Sequence, residues 1–300
     1  MLDYRAHTFI IAYRLRSFTR AAEELHITQP AVSQHIKQLE ARVGCSLFET
    51  RGRAVRSTPA GDLLYRRLSV MANDEARIID ELRRLDSATA APLRLGCTRT
   101  IADYVAPRLL AKHAQRHPEQ TVHLRSANTR DLLTSLEMGE LDLALVEGPY
   151  DRSSFDGSVL STEPYVAVAS PRKAQSAHAL SDLLAHPIIV REKGSGTREI
   201  LERMLAAQGL ELGDFASVIE VASIPVIKEF VRAGRGITFI YRVAVSEELS
   251  RGELIDLTPA DCAAHHDFTL IWQQGSAYAE SYRALLDEWR SDLPRCIKTF

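Results

Sequence analysis

The sequence predicts an α + α/β chain in three parts: an N-terminal winged helix-turn-helix, a long coiled-coil helix, and a C-terminal two-lobed α/β body. Three observations carry this prediction. Two short helices meet at a tight turn within SFTRAAEELHITQPAVSQHIKQLE, residues 17–40. Apolar residues then recur every three or four positions from Leu64 to Leu85. From Leu93 onward apolar strands alternate with amphipathic helices, in two successive series.

The start, MLDYRAHTFIIAYRLRSF, reads as a first helix with Phe9, Ile10, Tyr13 and Leu15 partly on one face. It lacks the long apolar stretch and small-residue cleavage site of a secretion signal. Ser17 can cap a second helix over Phe18–Leu25 by accepting a free first-turn N–H. After the short turn His26-Ile27, Thr28 caps a third helix, with Gln29 next and Pro30 in the first turn, where its missing N–H costs little. Ala31, Val32, Ile36, Leu39 and Val43 recur at helical spacing and are expected to face a core. The opposite face carries Gln29, Ser33, Gln34 and Lys37, whose side chains can hydrogen-bond base edges and phosphates. Such a helix can lie in the major groove of double-stranded DNA.

The stretch Phe48 to Thr58 reads as a hairpin with Gly52 at its tip and Arg51, Arg53 and Arg56 along it, a wing suited to phosphates or the minor groove. The expected DNA-contacting set is therefore Thr28, Gln29, Pro30, Ser33, Gln34, Lys37, Arg51 and Arg53. An αα-hairpin used only for packing is the alternative, and charge argues against it. Residues 1–61 hold nine Lys/Arg and five Asp/Glu, whereas the whole chain has 37 against 39. A head of +4 on a body of −6 is the asymmetry of a chain that meets nucleic acid at one end.

Thr58 should cap the next helix, from Pro59 to about Leu85. Leu64, Leu68, Met71, Glu75, Ile78, Leu82 and Leu85 are spaced 4, 3, 4, 3, 4 and 3 apart, a heptad seam that predicts pairing with a second copy. Glu75 interrupts it, and a polar residue there can fix register. Both neighbouring units read as self-contained, so a helix packed on its own domain is the weaker alternative. Two paired heads would read two symmetry-related half-sites. Ser87-Ala88-Thr89-Ala90-Ala91-Pro92 should then form a small-residue hinge. The expected units are 1–58, 59–91 and 92–300.

In the body, strands are expected at 93–97, 121–127 and 141–148, then at 165–170, 187–192, 217–223 and 236–241, with helices between them. Continuous apolar strands between amphipathic helices predict parallel sheets covered on both faces, with a ligand between two subdomains at the strand C-terminal ends. At those ends stand Thr98, Arg99 and Thr100, Asn128 and Thr129, Glu147, Gly194, Ser195, Gly196, Thr197 and Arg198, and Ser223. The run from Lys193 to Arg198 opens a helix with glycines, two hydroxyls, free N–H groups and a guanidinium, a chemistry that suits an anion. Glu147 would repel an anion if it pointed inward. It is expected to turn away, to pair with Arg99 or Arg198, or to bind an amine on a zwitterionic effector.

The residues AAEELHITQPAVSQHIKQLE (21–40), Leu47-Phe48-Glu49 and Thr58-Pro59-Ala60-Gly61 resemble, in order and spacing, the LysR-type transcriptional regulators, and the resemblance runs the full length. Arg16 departs from it, standing where the family often has glycine or another small residue. The resemblance implies a DNA-binding regulator without enzymatic activity. It also implies a periplasmic-binding-protein-like (type 2) effector body, with lobe I at about 92–162 plus 267–300 and lobe II at about 163–266. The late strand 267–273 and helix 278–290 would return to lobe I. It further implies a homotetramer and contact with RNA polymerase. The GSGTR run is similar to the branch that regulates carbon fixation and sulfur metabolism, which implies a small anionic effector such as a sulfur oxyanion or a phosphorylated metabolite.

Composition sets the remaining bounds. A 300-residue chain, 45% hydrophobic and 25% charged, suits two or three compact units. No apolar run approaches the roughly 18–20 residues of a membrane span, so a cytoplasmic protein that avoids membranes is expected. Cys45, Cys97, Cys262 and Cys296 are scattered and read as small buried hydrophobes rather than as a zinc, disulfide or peroxide-sensing site. His265-His266 reads as a pair at a strand edge without a third ligand, so neither a metal nor a cofactor is expected. An enzyme would need a motif such as G-x-S-x-G or H-x-x-E, and none is present. A solute-binding receptor would leave the basic head without a purpose.

Overall fold

The computed structural model describes residues 1–51, 54–85, 90–173 and 177–293. The head consists of α1 (Tyr4–Leu15), α2 (Phe18–Glu24) and α3 (Gln29–Val43), followed by the hairpin β1 (Phe48–Arg51) and β2 (Ala54–Ser57). Asp3 caps α1, its carboxylate accepting the N–H groups of Arg5 and Ala6 at 3.1 Å. Ser17 and Thr28 cap the next two helices through Arg20 N and Ala31 N, at 3.3 and 3.4 Å. Phe9, Ala12, Ala21, Val32, Ile36, Leu39 and Leu47 close a common core. Val43, expected in that core, is 41% exposed, because Gly44 ends α3 one residue later and nothing covers its last turn. Arg16 and His26 adopt φ of 50° and 54°, the left-handed region that costs a side chain roughly 1–2 kcal/mol. This accounts for the glycine or small residue expected at position 16.

The spaced motifs of the head meet in space. One oxygen of Glu40 accepts Leu47 N at 2.7 Å and Phe48 N at 3.3 Å. Thr58 Oγ1 donates to Ser46 O at 2.7 Å and accepts Gly61 N at 3.0 Å. A Cβ on Gly61 would strike the carbonyl of Leu47, so only glycine lets the next helix start so close to the wing.

That helix, α4 (Pro59–Leu82), does not carry a clean seam. Leu64 and Leu68 pack into the head's own core. Glu75 accepts the backbone N–H of Leu2 at 3.0 and 3.2 Å, so it fastens the N-terminus of its own chain. Met71, Ile78, Leu82 and Leu85 remain exposed. The opposite side of α4 docks on the body. Ser69 Oγ donates to Glu137 O at 2.8 Å, Asn73 to Gln273 Oε1 at 2.5 Å, and Arg77 to the Tyr282 hydroxyl at 2.6 Å. The units are thus less self-contained than their sequences predict. Of the expected hinge, 87–89 lie outside the described residues and 90–92 are already strand.

The body runs β3 (Ala90–Thr98), α5 (Arg99–Tyr104), α6 (Ala106–Arg116), β4 (Gln120–Ala127), α7 (Thr129–Glu137), β5 (Leu143–Glu147) and β6 (Phe155–Ala169). It continues with α8 (Leu180–Leu183), β7 (Pro187–Val190), α9 (Gly196–Ala207), β8 (Ser217–Glu220), α10 (Ile224–Arg232), β9 (Thr238–Tyr241) and α11 (Arg242–Ser250). It ends with β10 (Ile255–Asp256), β11 (Ala264–Gln273) and α12 (Ala279–Asp292). β3 lies parallel between β4 and β5, and β7 lies parallel to β8. The all-parallel expectation is otherwise corrected. β11 runs antiparallel to β5 and, over its whole length, to β6, while β6 also carries β9 and β10 antiparallel. β6 and β11 are the two strands that pass from one lobe to the other, with a register irregularity at Phe268/Thr269. The largest core cluster continues through this crossing, joining Leu95 and Leu145 to Ile188, Ile200 and Phe239 by way of Leu160, Tyr165 and Phe268.

Candidate functional site

Two surfaces carry candidate residues. On the head, packing of Val32, Ile36 and Leu39 turns the other face of α3 outward, so Thr28, Gln29, Pro30, Gln34 and Lys37 are exposed and Ser33 is half-buried. Gln29 donates to Ser33 Oγ at 2.9 Å one turn on, which pre-orients both side chains on the outward face. Arg51 closes β1 opposite Ala54. Arg53 lies outside the described residues. The arrangement presents a polar helix face flanked by a hairpin, as major-groove docking requires.

The second surface is the cleft between the lobes, and its centre is Glu147. This residue ends β5 and is 1% exposed. It pairs with neither Arg99 nor Arg198, correcting one expectation, and it points inward. Three threonine hydroxyls donate to its carboxylate: Thr98 at 2.5 Å, Thr100 at 3.1 Å and Thr197 at 3.2 Å. The first two lie at the start of α5, the third on α9, so the carboxylate bridges the lobes. Burial pushes its pKa above the usual range, against the pull of the three hydroxyls and of the nearby Arg191 guanidinium. Tyr165 and Tyr241 close the floor. Burial first, and the Glu147 charge second, raise both phenols well above their ordinary value.

α9 begins at this point because Gly196 lets two backbones meet. A Cβ there would lie 2.5 Å from Glu147 O and 3.3 Å from Thr129 Oγ1. Ser195, the residue before it, makes no side-chain cap, so the first-turn N–H groups of α9 stay available. Thr129 is 8% exposed and its hydroxyl has no partner.

Arg198 overturns the expectation that the whole GSGTR run converges on a ligand. Its guanidinium donates to Glu202 at 2.7 Å, to Glu220 at 2.5 Å and to the carbonyl of Arg191 at 3.1 Å. The carboxylate four residues along α9 and that at the end of β8 hold it within its own lobe. Asn128 is a helix cap, accepting Asp131 N at 2.9 Å, and no hydrogen bond of the described residues joins it or Ser223 to the Glu147 carboxylate. Gly194 turns the chain at φ 89° ahead of α9. Arg99, 46% exposed on its side chain, approaches Glu192 at 3.8 Å.

The residue that sequence reasoning missed is Arg191. It follows β7, is 5% exposed, and chelates Glu192 through Nε and Nη2 at 2.8 and 3.0 Å. Its Nη1 is buried without a partner. The available signal was a charge directly after the apolar run PIIV, the strand-end position that also singled out Glu147. Of the cysteines, Cys97 and Cys262 are buried, with the Cys262 thiol pushed up to about 12 by burial and nearby acids, Cys45 is exposed, contrary to expectation, and Cys296 lies outside the described residues. Among the described residues no helix is long and apolar enough to cross a membrane.

Comparison with known proteins covers both parts of the chain. Residues 5–62 match the family described as bacterial regulatory helix-turn-helix protein, lysR family, and residues 87–294 match the LysR substrate binding domain. The chain is 34% identical over 287 residues to the transcriptional regulator CfxR of Cupriavidus necator, covering 93% of this chain and 89% of that one. It is 29% identical over 265 residues to the RuBisCO operon transcriptional regulator of Allochromatium vinosum, covering 87% and 86%. Full-length LysG of Corynebacterium glutamicum with bound effector Arg superposes with a TM-score of 0.69 at 20% identity, over 97% of this chain and 99% of that one. The relatives are named as regulators, not enzymes. The chain belongs to the LysR family of DNA-binding transcriptional regulators, with an N-terminal helix-turn-helix and a C-terminal effector-binding domain.

Proposed function

We propose that this regulator binds a small anionic effector between its lobes and that the bound effector sets how its paired heads engage promoter DNA. The observation that carries the effector reading is a pair of buried polar atoms without partners: Thr129 Oγ1, beside the uncapped start of α9, and Arg191 Nη1, on the guanidinium whose charge acts on Glu147. Buried polar groups left unpaired are costly, and an oxyanion satisfies all three donors at once. Burial raises the Glu147 pKa, which lessens the repulsion its carboxyl sets against such a ligand. The relatives' printed association with the RuBisCO operon points to a phosphorylated metabolite or a related oxyanion. The lobes are taken as 92–162 plus 267–300 and 163–266, a division supported by the crossings of β6 and β11.

In the same reading Gln29, Ser33 and Gln34 read base edges, while Lys37, Arg51 and Arg53 meet phosphates or the minor groove. The exposed stripe Met71, Ile78, Leu82 and Leu85 supports a homodimer through α4. Tetramer formation, contact with RNA polymerase and a cytoplasmic location belong to the proposal. The test is thermal unfolding of the full chain against sulfate, sulfite, thiosulfate, phosphate and phosphorylated sugars, with Arg191→Ala and Thr129→Val beside it. A concentration-dependent rise with one anion, lost in both variants, is expected. Absence of a rise with every anion overturns the anionic reading and directs attention to amine-bearing effectors at Glu147.

A further inference from the structure

Far from the cleft, where α6 meets α12, two histidines and a carboxylate converge. His113 and His117 stand four residues apart, at the end of α6, and Glu288 comes from α12. One ligand-capable atom from each lies within 4.8 Å of the others. His117 Nε2 is 2.9 Å from Glu288 Oε2, and His113 Nδ1 is 3.7 Å from Glu288 Oε1. Tetrahedral bonds of about 2.0–2.2 Å place ligand atoms roughly 3.3 Å apart, so shifts below about 1 Å would complete three sides of a tetrahedron.

The second ring nitrogen of His113 is already committed in the manner of a metal ligand. Gln120 Nε2 donates to Ala91 O at 2.8 Å, which turns Gln120 Oε1 toward His113 Nε2 at 2.9 Å. His113 therefore carries its proton on Nε2, and its Nδ1 lone pair accepts a long hydrogen bond from Trp289 Nε1 at 3.5 Å, a contact that a bound cation would replace. An outer partner that fixes the tautomer is the usual support of a ligating imidazole. Arg116 touches Glu288 at 3.3 Å but has its main partner elsewhere, the Asp292 carboxylate at 2.5 and 2.7 Å, so Glu288 can be released without stranding the arginine. The negative end of the α6 dipole, where both histidines stand, favours a cation. The open side faces a cavity of about 660 Å³ lined by Pro118, Tyr282 and Leu285, which leaves room for a fourth ligand.

We propose that His113, His117 and Glu288 form a site for a borderline divalent cation, Zn²⁺ first, that ties α6 to α12 independently of the effector cleft. Two imidazoles and one carboxylate suit Zn²⁺ and exclude Mg²⁺ and Ca²⁺, which take oxygen ligands.

The test uses tag-free, chelator-stripped full-length protein in a Cys45→Ser background, so that the exposed thiol cannot compete. Co²⁺ serves as the spectroscopic probe and Zn²⁺ as its competitor. Expected are visible d–d bands saturating at a single equivalent of Co²⁺ per chain and abolished by Zn²⁺. His117→Ala and Glu288→Gln should weaken binding at least tenfold. Gln120→Leu, which frees the His113 tautomer, should weaken it by about tenfold to a hundredfold. His117 is half-buried at the end of α6 and Glu288→Gln preserves shape, and retention of the fold in both variants is checked by circular dichroism. No Co²⁺ spectrum at millimolar metal, or a spectrum unchanged in His117→Ala and Glu288→Gln, overturns the proposal.

Discussion

Replacing Gly196 by alanine tests the contact on which the cleft depends. The added Cβ would stand 2.5 Å from the carbonyl oxygen of Glu147, whereas ordinary contact begins at 3.4 Å, so α9 or β5 must withdraw by about 0.9 Å. The clash is with backbone, and no rotamer change relieves it. Overpacking of this kind costs about 1–3 kcal/mol, offset by the roughly 0.4–1 kcal/mol that alanine gains by restricting the unfolded chain. If the lobes part instead, the Thr197 to Glu147 hydrogen bond across them is lost, and the buried carboxylate is less well satisfied. Either route leaves a net loss of about 1–2 kcal/mol. For a body of this size that lowers the unfolding temperature by roughly 2–8 °C. Calorimetry of the full chain reads the shift on the body's transition. An unchanged unfolding temperature would refute the argument that the two backbones are in enforced contact.

Three further outcomes are expected. Thr58→Ala removes the cap on Gly61 N and the bond to Ser46 O, and should destabilise the head by about 1–2 kcal/mol in denaturant unfolding; a change within error would count against the role given to the Thr-Pro-Ala-Gly motif. Burial raises the Glu147 pKa, so its charged form is disfavoured in the folded chain. Its stability contribution is therefore complete below the unfolded pKa near 4.5 and is lost as pH rises through the raised value. Glu147→Gln escapes that loss, and its unfolding temperature relative to the parent should climb as pH rises above the unfolded value; a constant difference would contradict the shift. Lys37→Ala should weaken DNA binding evenly across sequences and reduce the salt slope of log K by about one; a loss confined to particular base pairs would reassign Lys37 to base readout.

Much of this could be read from the chain because the signals are local. Ser17, Thr28 and Thr58 announce helix starts with the N–H groups they cap, and Gly44 and the Gly194–Gly196 run mark turns whatever surrounds them. Glu147 was found because a charge at the end of an apolar strand is conspicuous. What escaped depends on partners distant in sequence. Arg198 was assigned to the ligand because its tether, Glu220, is 22 residues away on another strand. Arg191 was passed over because its burial is set by tertiary packing. The first half of β6, FDGSVLST, lacks an apolar run, because β11 holds it by backbone pairing while its side chains are only partly buried. The heptad of α4 is real as a period, but period alone does not say which apolar positions face the chain's own head.

The docking of α4 has a mechanical consequence. Its upper end is welded to the head by Leu64 and Leu68, and its lower part is clamped to the first lobe, with the Arg77 guanidinium over the rings of Tyr278 and Tyr282 at 4.2 and 5.1 Å. Reading head, rod and first lobe are therefore joined as one arm within a single chain, and the second lobe hangs from it on β6 and β11 and on the contact of Gly196 and Thr197 with Glu147. In the proposed reading, a ligand that closes the lobes leaves this arm straight. In that reading it alters the outer face that the second lobe offers to neighbouring copies, and the message reaches DNA through the way arms are stacked.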